Sequence, residues 1–206
     1  MRFAAERGWK VTGVEPSSTA ALVARNSGLV VHHGTLESFR RMDTRLFHVI
    51  HLKNVLEHVR DPAKVLAECH RMLHPRGLIY VEVPNDYDLV QRIGVRIARQ
   101  RNAWVAVPDH VNYFSFRSAA GLLHKMGFRV LARDTTFPMY LFLWLGMDFI
   151  ADRTVGAQAH AMRIRLETSM ERRGLGLARR AVYRLLARLS LGRTAILYAR
   201  KESPHA

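Results

Sequence analysis

The chain has 206 residues, 49% of them hydrophobic, with a formal net charge of +15 and an isoelectric point near 11. That length supports one sizeable core with a small addition; a single cysteine excludes a disulfide framework, and the longest apolar run, broken at Asp148, is too short to cross a bilayer. The charge invites a nucleic-acid partner, but the arginines are scattered through helices without interleaved aromatics to stack bases, so no nucleic acid is expected, and arginine-rich coding bias gives the same composition.

In chain order, Met1 to Gly8 reads as the last turns of a helix closed by glycine, with no basic-then-apolar leader, which makes a cytoplasmic location the expectation. Lys10 to Val14 is a strand ending in Glu15, and Pro16-Ser17-Ser18 leads into a helix through Ala20, Leu22 and Val23 to Asn26. Leu29 to His32 is a second short strand, followed by the loop Gly34-Thr35-Leu36 and an amphipathic segment. Phe47, Val49, Ile50 and Leu52 form a buried strand. Asp61-Pro62 starts a helix, since the carboxylate can accept first-turn N–H groups and proline suits the first helical position. Val65, Leu66, Cys69, Met72 and Leu73 recur at helical spacing, and Pro75-Arg76-Gly77 ends the helix before the strand Leu78 to Val83. Strand, helix and strand with short links make a βαβ unit. Residues 86–101 read as a helix with Leu89, Ile93 and Ile97 on one side, and 107–115 as a polar, aromatic loop. Ser115 caps a helix from Arg117 to Met126, stopped by Gly127, and Phe128 to Ala132 is a strand. Positions 138–150 are very apolar, 158–191 are basic and helical, and Ala195 to Ala199 is a last strand.

In parallel sheets, ligands collect beyond the carboxyl ends of the strands, which singles out Glu15, then Asn54, Glu57 and His58, then Asn85 and Asp86. A carboxylate at Glu15 can accept bonds from both hydroxyls of a ribose, or can instead complement the positive end of the following helix. The spacing of Asn54, Glu57 and His58 places them on one face of a helical turn, able to meet a substrate or a weak cation together. His110, in a loop with Asp109, Asn112 and Tyr113, is a candidate for proton transfer or a loop histidine bonded to backbone; His58 is a second such candidate or an orienter of Glu57. Cys69 lies on an apolar helix face and reads as a core residue. The helix from Ala178 to Leu189 sets Arg179, Arg180, Arg184 and Arg188 against Val182, Leu185, Leu186 and Leu189, a pattern that suits a cover for the sheet edge, a lid, or a peripheral membrane contact.

The succession VTGVEPS (11–17), NVLEHVRDP (54–62), LHPRGLIYVEVPN (73–85) and PDHVNYFSFRSAAGLLHKMGF (108–128) resembles the class I S-adenosylmethionine-dependent methyltransferases, in the branch of the quinone-biosynthesis O-methyltransferases. The resemblance implies an α/β, Rossmann-like fold: a mostly parallel sheet with helices on both faces, a helical insertion before the last strand, and no first strand. It divides the chain into an incomplete core (1–137), a helical insertion or lid (138–192) and a closing strand with tail (193–206). The family opens with a strand and a glycine-rich loop, and this sequence is expected to start after them.

The resemblance further implies S-adenosylmethionine as cofactor, with Glu15 on its ribose, Gly34, Thr35 and Leu36 along its adenine, and Asn54 and Val55 beside its methionyl part. Glu57 and His58 fall in a signature that belongs to a divalent-cation site in the quinone enzymes, but the site's other carboxylate is replaced here by Asn54. Asn85, Asp109, Asn112 and Tyr113 are implied to face the acceptor, with His110 or His58 taking its proton. The expected activity is methyl transfer to an oxygen or carbon of a small molecule (lipid-like, quinone or sugar), impaired if the glycine-rich loop is absent. The alternative is a non-catalytic remnant that binds or scaffolds. The number of copies in solution is left open.

Overall fold

The computed structural model describes residues 1–99 and 108–202. The predicted helix end at Gln100 and Arg101, Val107 at the head of the histidine loop, and the tail after Glu202 lie outside them. In chain order the elements are α1 (Arg2–Ala5), β1 (Gly13–Glu15), α2 (Ser18–Asn26), β2 (Val31–His33), α3 (Leu36–Met42), β3 (Phe47–Lys53), α4 (Pro62–Met72) and β4 (Leu73–Pro84). There follow α5 (Leu89–Ile97), α6 (Phe116–Lys125), β5 (Phe128–Asp134), α7 (Leu141–Trp144), α8 (Arg153–Arg172), α9 (Gly176–Arg188) and β6 (Thr194–Lys201).

The fold is Rossmann-like, with helices on both sides of a mixed sheet. β1 and β2 pair in parallel as a two-stranded ribbon, and the other four strands form a sheet in the order β3-β4-β6-β5. There β3 and β4 run parallel, while β6 threads between β4 and β5 antiparallel to both. Each strand places alternate residues on opposite faces. Ile79, Val81 and Leu197 are fully buried. Their neighbours carry a ladder in which His51 stacks on Tyr80, with centroids 4.3 Å apart, and Tyr80 meets Tyr198 edge-on at 5.3 Å.

Helices α4 and α6 pack their apolar faces into the core that the strands floor. Asp61 caps α4 by accepting from the Lys64 N–H at 2.9 Å, and the helix turns Leu66 and Cys69 wholly inward. Burial pushes the Cys69 thiol up to about 12, as suits a core residue rather than a nucleophile. Ser115 and Ser118 form a reciprocal capping box at the start of α6, which buries Phe116, Ala119 and Leu123 in the same core.

Two boundaries differ from the sequence expectation. The strand after α4 begins at once at Leu73, and Pro75-Arg76-Gly77 does not end a helix. It bulges out of the strand, since Phe47 faces Leu73 while Val49 already faces Leu78. The basic helical region is two helices, broken where Gly174 takes φ +72°, a left-handed conformation that glycine adopts without steric cost. The apolar run at 138–150 forms the short α7 and turns, and Met139, Phe142 and Ala159 make a second small core.

Candidate functional site

The site is assembled from strand ends that the helices bring level. Lys64 on α4 pairs with Glu37 on α3, and one turn further along Arg40 pairs with Glu68 at 2.7 Å. The two helices therefore run side by side in the same direction. Because α3 follows β2 and α4 follows β3, the carboxyl ends of β2 and β3 lie at one end of the molecule. Glu15 joins them there: it faces His33 across the β1–β2 pair, and its carbonyl accepts from the Gly34 N–H at 3.0 Å.

The Glu15 side chain accepts from the Ser17 N–H at 2.8 Å, so one carboxylate oxygen steadies the turn into α2. Among the described residues it makes no ion pair. Of the loop beside it, Gly34 takes φ +147°, Thr35 caps α3 through the Ser38 N–H, and Leu36 packs on the main core.

Asn54 ends β3 with φ +51°, a left-handed turn that asparagine tolerates better than most residues. Val55 and Leu56 then pack inward and Glu57 is only 2% exposed. The segment is a turn rather than a helix, so Asn54, Glu57 and His58 do not share a helical face. The third member of the cluster is instead His110: single ligand-type atoms of Glu57, His58 and His110 all lie within 4.8 Å of one another.

The loop bearing His110 is clasped to this turn. Backbone N–H groups of Val111 and Asn112 donate to the Glu57 carbonyl at 2.9 and 3.1 Å. The His58 and His110 rings meet edge-on at 4.9 Å, and Tyr113 lies 6.2 Å from His110. His58 Nδ1 lies 2.7 Å from the Asp109 carbonyl oxygen. A carbonyl only accepts, so Nδ1 carries the hydrogen, and neutral His58 keeps its lone pair on Nε2, 3.9 Å from Glu57 Oε1. Glu57 Oε2 and His110 Nδ1 are both buried without a hydrogen-bond partner among the described residues. Orphaned polar atoms cost free energy unless something meets them, and two on members of one cluster mark a place for a proton, an ion or a ligand atom. Burial raises the Glu57 carboxyl above the usual carboxylate range, although the two histidines pull it down.

Two residues expected to face the acceptor are committed elsewhere. Both amide hydrogens of Asn85 go to the Ser190 and Gly192 carbonyls, at 3.1 and 3.0 Å, and its Oδ1 accepts from the Phe116 N–H. Asn112 donates to the Leu56 and Val59 carbonyls at 3.1 and 2.6 Å. Both are latches between loops, because buried backbone carbonyls need donors as much as a ligand does. Asp109 takes part through its backbone.

A neighbouring polar group carried no motif. Asp86 accepts from the Phe114 N–H, Asp88 caps α5 through the Gln91 N–H, and Gln91 donates to the Tyr140 hydroxyl at 3.0 Å. Burial pushes both aspartates up to about 6. A carboxyl whose folded value exceeds its unfolded one stabilises the fold while protonated, below about pH 4, and that contribution is lost as pH rises through about 6. Asp86→Asn is therefore expected to raise stability at pH 7 by on the order of 1–3 kcal/mol, a gain that vanishes near pH 4. Thermal melts of both proteins across that range check it.

A two-stranded parallel ribbon and a main sheet with level strand ends, flanked by helices, define an α/β domain of the Rossmann-like class, with an acidic residue beside a glycine turn and a carboxylate–histidine cluster at that end. The chain belongs to the methyltransferase domain family, whose model matches residues 1–133. It is similar to the ubiquinone biosynthesis O-methyltransferase of Pseudomonas aeruginosa (strain LESB58), 34% identical over 87 residues, covering 39% of this chain and 38% of the relative. The chain thus spans well under half the length of such relatives. Among solved structures it resembles an S-adenosylmethionine-dependent methyltransferase from Archaeoglobus fulgidus, with TM-score 0.60, 15% identity and coverage of 97% and 80% of the two chains. The [4+2]-cyclase SpnF has the same fold, with TM-score 0.55, 20% identity and coverage of 98% and 71%. Among the described residues no helix is long and apolar enough to cross a membrane.

Proposed function

We propose that this chain binds S-adenosylmethionine and passes its methyl group to an oxygen or carbon of a small-molecule acceptor of the lipid-like, quinone or sugar type. The fold alone does not choose the chemistry, since a cyclase shares it. The observation that carries the reading is the Glu57–His58–His110 cluster, with its unmet polar atoms, at the same end of the molecule as Glu15 and Gly34.

Glu15 holds the ribose hydroxyls with the Gly34 turn beside it, and Asn54 and Val55 flank the methionyl arm. Held there, S-adenosylmethionine would supply an activated methyl group for the acceptor's nucleophilic atom, the electron pair of the broken carbon–sulfur bond remaining on sulfur. Holding the two reactants in line contributes several powers of ten. The acceptor's proton passes to His110, and Glu57 and His58 offset the charge that develops on the ring. Calorimetric titration of the full chain with S-adenosylhomocysteine tests the reading: saturable one-to-one heat supports it, and no heat removes it for this chain.

A cation is the second reading, favoured by the cluster's donor set. One carboxylate and two imidazoles fit a borderline divalent ion such as Zn²⁺ better than Mg²⁺, which prefers oxygen. Such an ion would polarise the acceptor oxygen, with Glu57, His58 and His110 holding it. Titration with Zn²⁺ is then expected to saturate at one ion per chain, with His110→Ala weakening it at least tenfold. Zinc heat that survives His110→Ala sinks this version.

A further inference from the structure

The helices α8 and α9 play no part in the site just described, yet they carry a strongly lopsided charge. Residues 153–188 contain nine arginines against two glutamates. Both glutamates are spoken for inside the pair of helices: Glu171 pairs with Arg179, while Glu167 pairs with Arg163 and accepts from the Tyr183 hydroxyl. Those contacts, with buried Gly176 and Ala187, fix which side of α9 faces the protein.

The outward side is apolar. Leu177, Val182, Leu185 and Leu189 are 78%, 51%, 56% and 60% exposed. Leu177, Ala181, Leu185 and Leu189 follow one another every four residues, and Arg180, Arg184 and Arg188 form the adjacent row at the same spacing. None of those three arginines makes an ion pair among the described residues. On α8, Ile164, Arg165, Thr168, Ser169, Arg172 and Arg173 line a shallow, open patch of the same basic character.

We infer that α9 lies on the surface of an anionic phospholipid bilayer, its leucine row in the acyl boundary and its arginine row on the headgroup phosphates. A row of leucines beside a row of arginines is the pattern of a helix at a membrane interface. Nucleic acid offers nothing to an exposed leucine row. A second copy docked face to face would bring two uncompensated arginine rows together. The occupant that complements both rows at once has an apolar interior and a negative surface.

Co-sedimentation of the full chain with vesicles tests this without cofactor or acceptor, so its outcome is separate from that of the methyl-transfer reading. Binding to phosphatidylcholine vesicles containing phosphatidylglycerol is expected to exceed binding to phosphatidylcholine alone on the order of a hundredfold, for three arginines at the surface. It falls steeply as salt is raised. The exposed changes Leu185→Gln with Leu189→Gln weaken it at least tenfold while the far-ultraviolet circular dichroism stays that of the parent. Replacing Arg180, Arg184 and Arg188 by glutamine removes the preference for phosphatidylglycerol. Equal binding to both vesicle types, no binding to either, or binding indifferent to both variants overturns the inference. So does duplex DNA held more tightly than vesicles, or a dimer that the leucine changes dissolve in a chain that ignores lipid.

Discussion

Glu15→Gln is expected to weaken S-adenosylhomocysteine binding on the order of 10–100-fold while leaving the melting temperature nearly unchanged. A carboxylate presents two charged acceptors to a pair of vicinal hydroxyls, and the amide presents one neutral acceptor and a donor. Hydrogen bonds to a charged partner contribute about 1.5–3 kcal/mol each, roughly twice neutral ones. Glu15 also accepts from the Ser17 N–H at 2.8 Å, at the entry to α2. That contact makes the experiment discriminating. If the residue serves only the helix entry, the variant loses on the order of 1 kcal/mol of stability and binds as before. If it serves the ribose, affinity falls and stability holds. Calorimetry and a thermal melt on the same two samples separate the cases.

The second large effect is expected at His110. His110→Ala should lower kcat by about 10²–10⁴-fold, the usual contribution of a positioned base. The KM for S-adenosylmethionine should stay within a fewfold of the parent, because in the proposed arrangement His110 serves the acceptor while Glu15 serves the ribose. Added imidazole should restore part of the rate. A loss confined to KM, or a rate that imidazole leaves untouched, would show that His110 only holds the loop of residues 108–115 on the Glu57 turn, and the base would have to be sought elsewhere in the cluster. Ring contact with His58 at 4.9 Å makes that His58.

The elements that reading the residues placed well are those whose signals are local. The strand at 47–53, the Asp61-Pro62 start of α4, the Ser115 start of α6 and the burial of Cys69 each depend on neighbours a few positions away. Pro75-Gly77 misled because its local chemistry says stop, whereas pairing with β3 keeps the strand going through a bulge. The site was legible by half. Glu57 and His58 stand next to each other and follow a strand, but His110 reaches them from 52 residues further on. No spacing rule carries that meeting. Asn85 and Asn112 sit where ligand-binding residues sit, and only the fold reveals carbonyls at 190, 192, 56 and 59 that claim their amides first. Asp88, Gln91 and Tyr140 were invisible for the same reason, since Gln91 and Tyr140 meet across 49 positions.

The ribbon of β1 and β2 shares no backbone hydrogen bonds with the four-stranded sheet, although α3 leans on α4 through charged side chains. The ribbon is thus joined to the main sheet through α3, by those salt links and by the packing of Leu36 on the core and of Phe39 on Phe47, whereas the Glu57 turn follows directly from a strand of that sheet. A nucleoside gripping Glu15 at one end and reaching the Glu57 turn with the other would work as a rivet across that seam.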